Sequence, residues 1–334
     1  MEVKIVAVST YLPEGVLTNE RINERFPEWS VDKISSKTGI YNRRIAGENE
    51  FVSDMAIKAA ETLFVEHNID RAQIDFLLLC TQSPDYFLPT TACIIQDKLG
   101  LPTQCGALDF NLGCSGFVYG LSLAKGLISS ESAKNVVLIT SETYSKYINK
   151  NDKSNKTIFG DAAAATLISA NDGLGSILKF SLGTDGSGAE NLIVKNGAIR
   201  NAAKIGEDVF ENNVFIKNDN NLFMDGQQIF QFTTRSVPTL VNDVLIKNHM
   251  HLEDIDLFIF HQANKFMLDY IRKKIKIPEE KFFMYFENIG NTVSSTIPIA
   301  MAEALVQNKI IKGMNVLIAG FGVGYSYAAT IIKF

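Results

Sequence analysis

Apolar positions along the chain fall into short continuous runs separated by stretches with helical spacing. Val3 to Val8, Asp75-Phe76-Leu77-Leu78-Leu79-Cys80, Asn135 to Thr140, Ala162 to Ile168, Ile255 to Phe260, Asn315 to Ala319 and Ala328 to Ile332 read as strands, most of them buried on both faces. Between them, Phe117, Leu121, Ala124 and Ile128 repeat at i, i+4, i+7 and i+11, the spacing of a helix with one buried face. Ser53 to Glu66 reads as a second helix through Met55, Ala59, Leu63 and Val65, and Cys93, Ile94 and Leu99 mark a short third. Tyr11 to Gly15 is a turn, and Ser35 to Arg44 reads as a basic, solvated loop. Alternating strands and helices imply a layered α/β fold.

The runs also repeat. Ile74 to Cys80 is matched by Ile255 to His261, Asn135 to Thr140 by Asn315 to Ala319, and Ala162 to Ile168 by Ala328 to Ile332. Each pair brackets one further strand and helix. In the first half this insert carries Cys114; in the second it is Phe282 to Phe286, then Gly290-Asn291-Thr292, then a helical run to Leu305. The pattern predicts a duplication with halves at 1–171 and 172–334. A pseudo-twofold relation would bring equivalent loop ends together, and with them Cys114, His261 and Asn291.

Cys114 lies between Gly113 and Gly116 where an apolar run gives way to a helix. Unpaired amides and the positive end of a helix dipole favour thiolate over thiol, so a lowered pKa is expected. Each residue alone has an ordinary structural use: Cys114 as a small buried apolar group, His261 as a core histidine, Asn291 as a helix cap. The repeat ties the three together. Gly183 to Met224 is rich in Gly, Asn and Asp and reads as an excursion over one face of the sheets. Gly320-Phe321-Gly322-Val323-Gly324 has too little chain after it for a dinucleotide fold, which leaves a tight turn with exposed amides.

Composition narrows the classes. At 334 residues and 46% hydrophobic content the chain can bury a large core, and a net charge of −5 without blocks of like charge argues against nucleic acid as a partner. The opening residues lack a signal-peptide pattern, and no apolar stretch approaches the roughly 20 residues that cross a bilayer. A soluble, cytoplasmic protein without a membrane partner is expected. Cysteines at 80, 93, 105 and 114 form no CxxC, so neither a metal site nor a disulfide framework is expected.

The ordered set Asp109 to Phe117, His261-Gln262-Ala263-Asn264, Gly290-Asn291-Thr292 and Gly320 to Gly324 resembles β-ketoacyl-acyl carrier protein synthase III. Tyr11-Leu12-Pro13, Lys37-Thr38-Gly39-Ile40, Phe159-Gly160-Asp161 and Met224-Asp225-Gly226 extend the resemblance over the whole chain. It implies a thiolase-like duplicated five-layer αβαβα fold, usually a homodimer. It also implies ping-pong chemistry without a permanently bound cofactor. Cys114 takes an acyl group from a coenzyme A thioester; a malonyl thioester on acyl carrier protein then loses carbon dioxide and attacks it.

By the same resemblance His261 and Asn291 donate hydrogen bonds to the enolate oxygen, and the amides of Cys114 and Val323 hold the tetrahedral intermediate. Phe321 walls the site. Lys37, Lys153, Gly226, Ala263 and Asn264 contact coenzyme A, and Leu88 reaches across the dimer to the acyl pocket. Some positions depart. Lys33 stands where the family stacks a tryptophan on adenine, and Lys37 and Lys153 replace arginines. Gln231 and Phe266 replace basic carrier-docking residues, for which Lys265, Arg272, Lys273 and Lys274 are possible substitutes. Acyl transfer to an alcohol or amine, and a non-catalytic partner subunit, remain as alternative functions.

Overall fold

The structure is a computed structural model that describes residues 2–171 and 173–334. Its main sheet comprises β1 (Lys4–Tyr11), β2 (Phe76–Cys80), β3 (Gly106–Phe110), β4 (Asn135–Glu142), β5 (Ala162–Ser169), β6 (Gly175–Ile177), β7 (Ser181–Thr184), β8 (Leu257–Phe260), β9 (Asn315–Gly322) and β10 (Ser326–Lys333). They run in the order β8-β9-β10-β6-β1-β5-β4-β2-β3, with β7 paired to β10. The order has the same character read from either end: parallel pairing outside (β8 with β9, β2 with β3 and β4) and antiparallel pairing inside. β1 and β6 join the two sides.

Six helices matter for the site: α1 (Val31–Thr38), α2 (Val52–Glu66), α3 (Gly116–Ser129), α4 (Gly226–Lys247), α5 (Lys265–Ile275) and α6 (Thr296–Val306). Three hydrophobic cores order them into layers. One packs α2, through Val52, Met55, Ala59 and Leu63, against β2, β4 and β5. The second puts α3 and α6 between the two sides of the sheet, with Phe117, Leu121, Ala124 and Ile128 buried beside Ile297, Ala300 and Met301. The third packs α4 and α5 against β8, β9 and β10. Helix, sheet, helix pair, sheet, helix is the five-layer arrangement, and each buried Leu, Ile or Phe in it contributes about 1.5–3 kcal/mol.

Three local expectations change. Ser35 to Arg44 is not a solvated loop: its first half ends α1 and its last part, Asn42–Ile45, is a strand. Arg43 there is fully buried, and its Nε donates to Thr157 O at 3.0 Å while its guanidinium also reaches Asn19. Desolvation pushes it down to about 9. Phe282 to Phe286 makes only a single bridge, Phe282 with Phe258, because the chain there turns toward Gly290 instead of extending along β8. Gly320 to Gly322 belongs to β9, so the turn begins only at Val323. The 183–224 excursion folds into short strand pairs, Leu192–Val194 with Leu222–Met224 and Val209–Glu211 with Val214–Lys217.

Candidate active site

Cys114, His261 and Asn291 line one cavity of about 130 Å³, together with Phe159, Leu192, Met224, Gly226, Thr233, Ala263, Asn264, Phe321 and Gly322. Cys114 follows β3 and precedes α3, His261 follows β8, and Asn291 precedes α6, so each sits at the end of a rigid element. Among the described residues, the lining contains no carboxylate, lysine or arginine.

Close backbone approach builds the cysteine's side. A Cβ on Gly320 would lie 2.6 Å from Cys114 O, and one on Gly322 would lie 2.8 Å from Cys114 Sγ. Only hydrogen at both positions lets β9 lie against the elbow. The amides of Cys114 and Val323 face the sulfur and favour its charged form. Burial outweighs them, and with the nearby Glu142 carboxyl it pushes the thiol up to about 12. The lowered pKa expected from the helix start is therefore overturned: the site is 7% exposed, and desolvation of the thiolate exceeds what two amides return.

His261 and Asn291 face each other, with Asn291 Nδ2 3.4 Å from His261 Nε2. Asn291 Oδ1 accepts from Val293 N at 2.9 Å, which aims the amide nitrogen at the ring. The main chain of Asn291 is fixed from the other half: its N–H donates to Ile158 O at 2.9 Å, and Gly160 N donates to its carbonyl at 3.0 Å. Gly290 permits this entry with φ +80, a conformation most side chains resist. His261 Nδ1 lies 2.8 Å from Thr296 Oγ1. Burial pushes its pKa down to about 3, so the ring is neutral at pH 7. Phe321 stands edge-on to it, ring centroids 5.7 Å apart.

Gly226, Ala263 and Asn264 share this cavity; Asn264 Oδ1 is also used to cap α5 through Met267 N. Leu88 does not reach it, being 83% exposed beside the exposed Tyr86 and Phe87. Lys37 and Lys153 lie elsewhere, around Trp29. Lys33, Lys37 and Lys153 place their Nζ atoms 5.3, 5.7 and 5.9 Å from its ring centroid, and Lys153 also pairs with Glu28 at 2.8 Å. Trp29 escaped the sequence reading, although it stands four residues before Lys33, just ahead of α1. Of the proposed carrier-docking residues, Arg272 is buried and paired with Glu279, and Lys265 pairs with Asp269, leaving Lys273 and Lys274 exposed. Phe266 stacks on Phe230, with Tyr270 against the same ring.

Comparison with known proteins now decides the family. Residues 108–186 match the model of 3-oxoacyl-[acyl-carrier-protein] synthase III, and residues 245–334 match its C-terminal model. A β-ketoacyl-[acyl-carrier-protein] synthase III of Clostridium perfringens is 36% identical over 99% of this chain and 98% of its own. The chain belongs to the 3-oxoacyl-[acyl-carrier-protein] synthase III family. A Staphylococcus epidermidis relative named β-ketoacyl-[acyl-carrier-protein] synthase III 2 is also 36% identical, over 99% of this chain and 98% of its own. A 3-oxoacyl-(acyl-carrier-protein) synthase III crystal structure superposes with TM-score 0.97 at 46% identity, covering both chains fully. The Thermus thermophilus enzyme superposes with TM-score 0.88 at 32% identity, covering 99% of each chain. The fold is thus the thiolase-like α/β fold of these synthases.

Proposed function

We propose that this synthase loads an acyl group from an acyl-coenzyme A onto Cys114 and condenses it with malonyl-acyl carrier protein, giving a 3-oxoacyl product for fatty acid or related biosynthesis. The observation that carries the reading is the cavity shared by Cys114, His261 and Asn291, with no carboxylate in its lining. Such a site has no carboxylate to pull a proton from an acyl acceptor. It suits a carbanion formed by loss of carbon dioxide.

In the first half-reaction the Cys114 sulfur attacks the thioester carbonyl. The oxyanion is stabilised by the amides of Cys114 and Val323, and coenzyme A leaves as its thiol after taking up the cysteine's proton. In the second, the malonyl carboxylate leaves as carbon dioxide and its electron pair becomes an enolate. Asn291 and His261 stabilise the enolate oxygen, and the carbanion carbon attacks the acyl group, releasing Cys114 as a thiolate that takes up a proton from water. Neutral donors suit this better than a cation, which would bind the malonyl carboxylate and hold it. A cysteine protease would instead need the asparagine oxygen on the ring, but here that oxygen is held by Val293 N.

The reading extends to the surroundings. Trp29, with Lys33, Lys37 and Lys153, is a flat aromatic face ringed by cations, suited to the adenine and phosphates of coenzyme A. Gly226, Ala263 and Asn264 would line the path from there to Cys114. The exposed Tyr86-Phe87-Leu88 run suits burial against a second copy, making a homodimer with Leu88 at the partner's acyl pocket. We assign no resident cofactor, place the enzyme in the cytoplasm, and read residues 1–171 and 172–334 as duplicated halves; the boundary touches residue 172, which lies outside the described residues. The test is incubation with acyl-coenzyme A donors of short and medium length, peptide mass analysis of Cys114, then malonyl-acyl carrier protein with carbon dioxide trapping. Adducts followed by carbon dioxide and a 3-oxoacyl product are expected. Adducts that pass to an alcohol or amine without carbon dioxide would replace condensation with simple transfer.

A further inference from the structure

A second cavity, of about 410 Å³, shares Phe159 with the active-site cavity and no other lining residue. Its volume falls within the range of small-molecule sites, about 300–1,000 Å³. The paired strands Gly15–Thr18 and Asn42–Ile45 form one wall and contribute Val16, Leu17 and Ile45. The segment from Ser145 to Phe159 forms the other, with Ile148 and Phe159 buried. The interior between them is apolar.

The charge around this interior has one sign. Among the described residues, Arg21 and Lys156 are the only ionisable side chains in the lining. Arg21 donates one guanidinium N–H to Val16 O at 3.2 Å, which leaves its other donors without a side-chain acceptor among the described residues. Lys156 is half-buried, yet its Nζ makes no hydrogen bond or ion pair with any described residue. Desolvation and the Arg25 charge push its pKa down. Asp152 acts in the other direction from beyond ion-pair distance, because Asn155 holds both of its oxygens. The carboxylates behind the wall are also occupied: Asp161 accepts from Ala46 N and Ser145 Oγ, and Glu50 from Gly47 N and Lys58 Nζ.

A half-buried ammonium without a counter-charge is unfavourable, and an incoming anion would relieve it. The Arg21 fork and the Lys156 point charge together suit one carboxylate or phosphate, and the apolar walls suit a hydrocarbon attached to it. We propose that this cavity is a binding site for a small amphipathic anion. Lys156 and Arg21 hold its carboxylate or phosphate head, and Val16, Leu17, Ile45 and Ile148 pack against its alkyl body. Lys33, Lys37 and Lys153 around Trp29 line none of this cavity. Binding requires no turnover at Cys114, so it is measurable on the resting enzyme.

Ligand-observed NMR titrations of the full chain with octanoate, octyl phosphate, butyrate and octanol test the assignment. An eight-carbon anion should bind, and the tighter of octanoate and octyl phosphate identifies the head. Butyrate should bind at least tenfold more weakly than octanoate, because each buried methylene is worth about fourfold in affinity. Octanol, which lacks the charge, should also bind at least tenfold more weakly. Lys156→Gln should weaken the tighter anion roughly tenfold, the scale of a hydrogen bond to a charged group. Arg21→Gln should weaken it about threefold, because this side chain is exposed. Both variants should melt like wild type, and Lys37→Gln should bind the anion unchanged. Neither saturating coenzyme A nor alkylation of Cys114 should displace it. Unchanged affinity in both Lys156→Gln and Arg21→Gln, octanol binding as tightly as the anions, or no binding of any probe would overturn the proposal. Displacement by coenzyme A would move the ligand to the Trp29 cluster, and loss on alkylation would move it beside Cys114; either result would overturn it as well.

Discussion

Ser294 donates a hydrogen bond to Glu142 Oε1 at 2.8 Å, tying the turn that carries Asn291 to a strand of the first half. The other oxygen, Oε2, accepts from Gln82 N at 3.1 Å and Ser83 Oγ at 3.2 Å, beside the Cys114 loop. One buried carboxyl thus holds both sides of the site in register. Burial pushes its pKa up to about 8, and the neighbouring Asp161 charge acts in the same direction. A carboxyl whose folded pKa exceeds its unfolded value favours folding most at low pH, and that contribution is lost as pH rises through the folded pKa. Thermal stability should therefore fall between about pH 5 and pH 8, by an amount on the order of a few kcal/mol. Glu142→Gln should flatten the profile above pH 6, leaving only the contribution of Asp161, itself raised to about 6 by burial. A scanning-calorimetry series across these pH values in both proteins tests it. Equal slopes would refute the assignment.

The raised Cys114 pKa predicts a thiol, not a resting thiolate. Its alkylation by iodoacetamide should accelerate about tenfold per pH unit from pH 7 to pH 10, because the thiolate fraction grows tenfold per unit well below a pKa near 12. Rate constants from mass analysis of the Cys114 peptide provide the check. A plateau reached by pH 7 would mean that the helix start overcomes burial.

Asn291 should matter to one half-reaction only. Asn291→Ala removes the proposed enolate donor without touching the Cys114 and Val323 amides, so acyl-enzyme should form and persist while carbon dioxide release falls roughly 10²-fold to 10³-fold. His261 is pushed down to about 3, so it charges only below that value. The release rate of pre-acylated enzyme should consequently show no step between pH 5 and pH 8 from this ring. An inflection near pH 6.5 that vanishes in His261→Ala would contradict the neutral histidine.

What could be read from sequence followed from how local each signal is. Cys114, His261 and Asn291 stand next to strands and turn residues, so their placement at element ends was legible, and the repeat predicted their convergence. Ionisation was not legible: Cys114 sits at a helix start, but its acidity is set by burial among residues as distant as Phe159 and Phe321. Arg43 read as a surface charge because its partners, Thr157 and Asn19, lie far along the chain. Phe282 to Phe286 has strand composition, yet only tertiary context shows that the chain leaves β8 for Gly290.

Trp29 is a residue that sequence reading passed over, four positions before Lys33. Lys33 and Lys37 come from α1, while Lys153 comes from a segment that sequence spacing cannot connect to them, and all three converge on this ring. If the cluster holds the nucleotide end of coenzyme A, its loss should weaken a substrate only when that end is present. Trp29→Ala should raise KM for acyl-coenzyme A about tenfold or more, on the scale of about 1–3 kcal/mol for a lost stacking platform, with kcat little changed. The same variant should treat an acyl-N-acetylcysteamine thioester, which lacks the nucleotide, like wild type. Lys153→Ala should act in the same direction and more strongly at low salt, because its phosphate attraction is screened at high ionic strength. Steady-state kinetics with the two donors at two salt concentrations decide the matter. Equal losses on both thioesters would assign Trp29 to the fold, and no loss on either would move the coenzyme elsewhere.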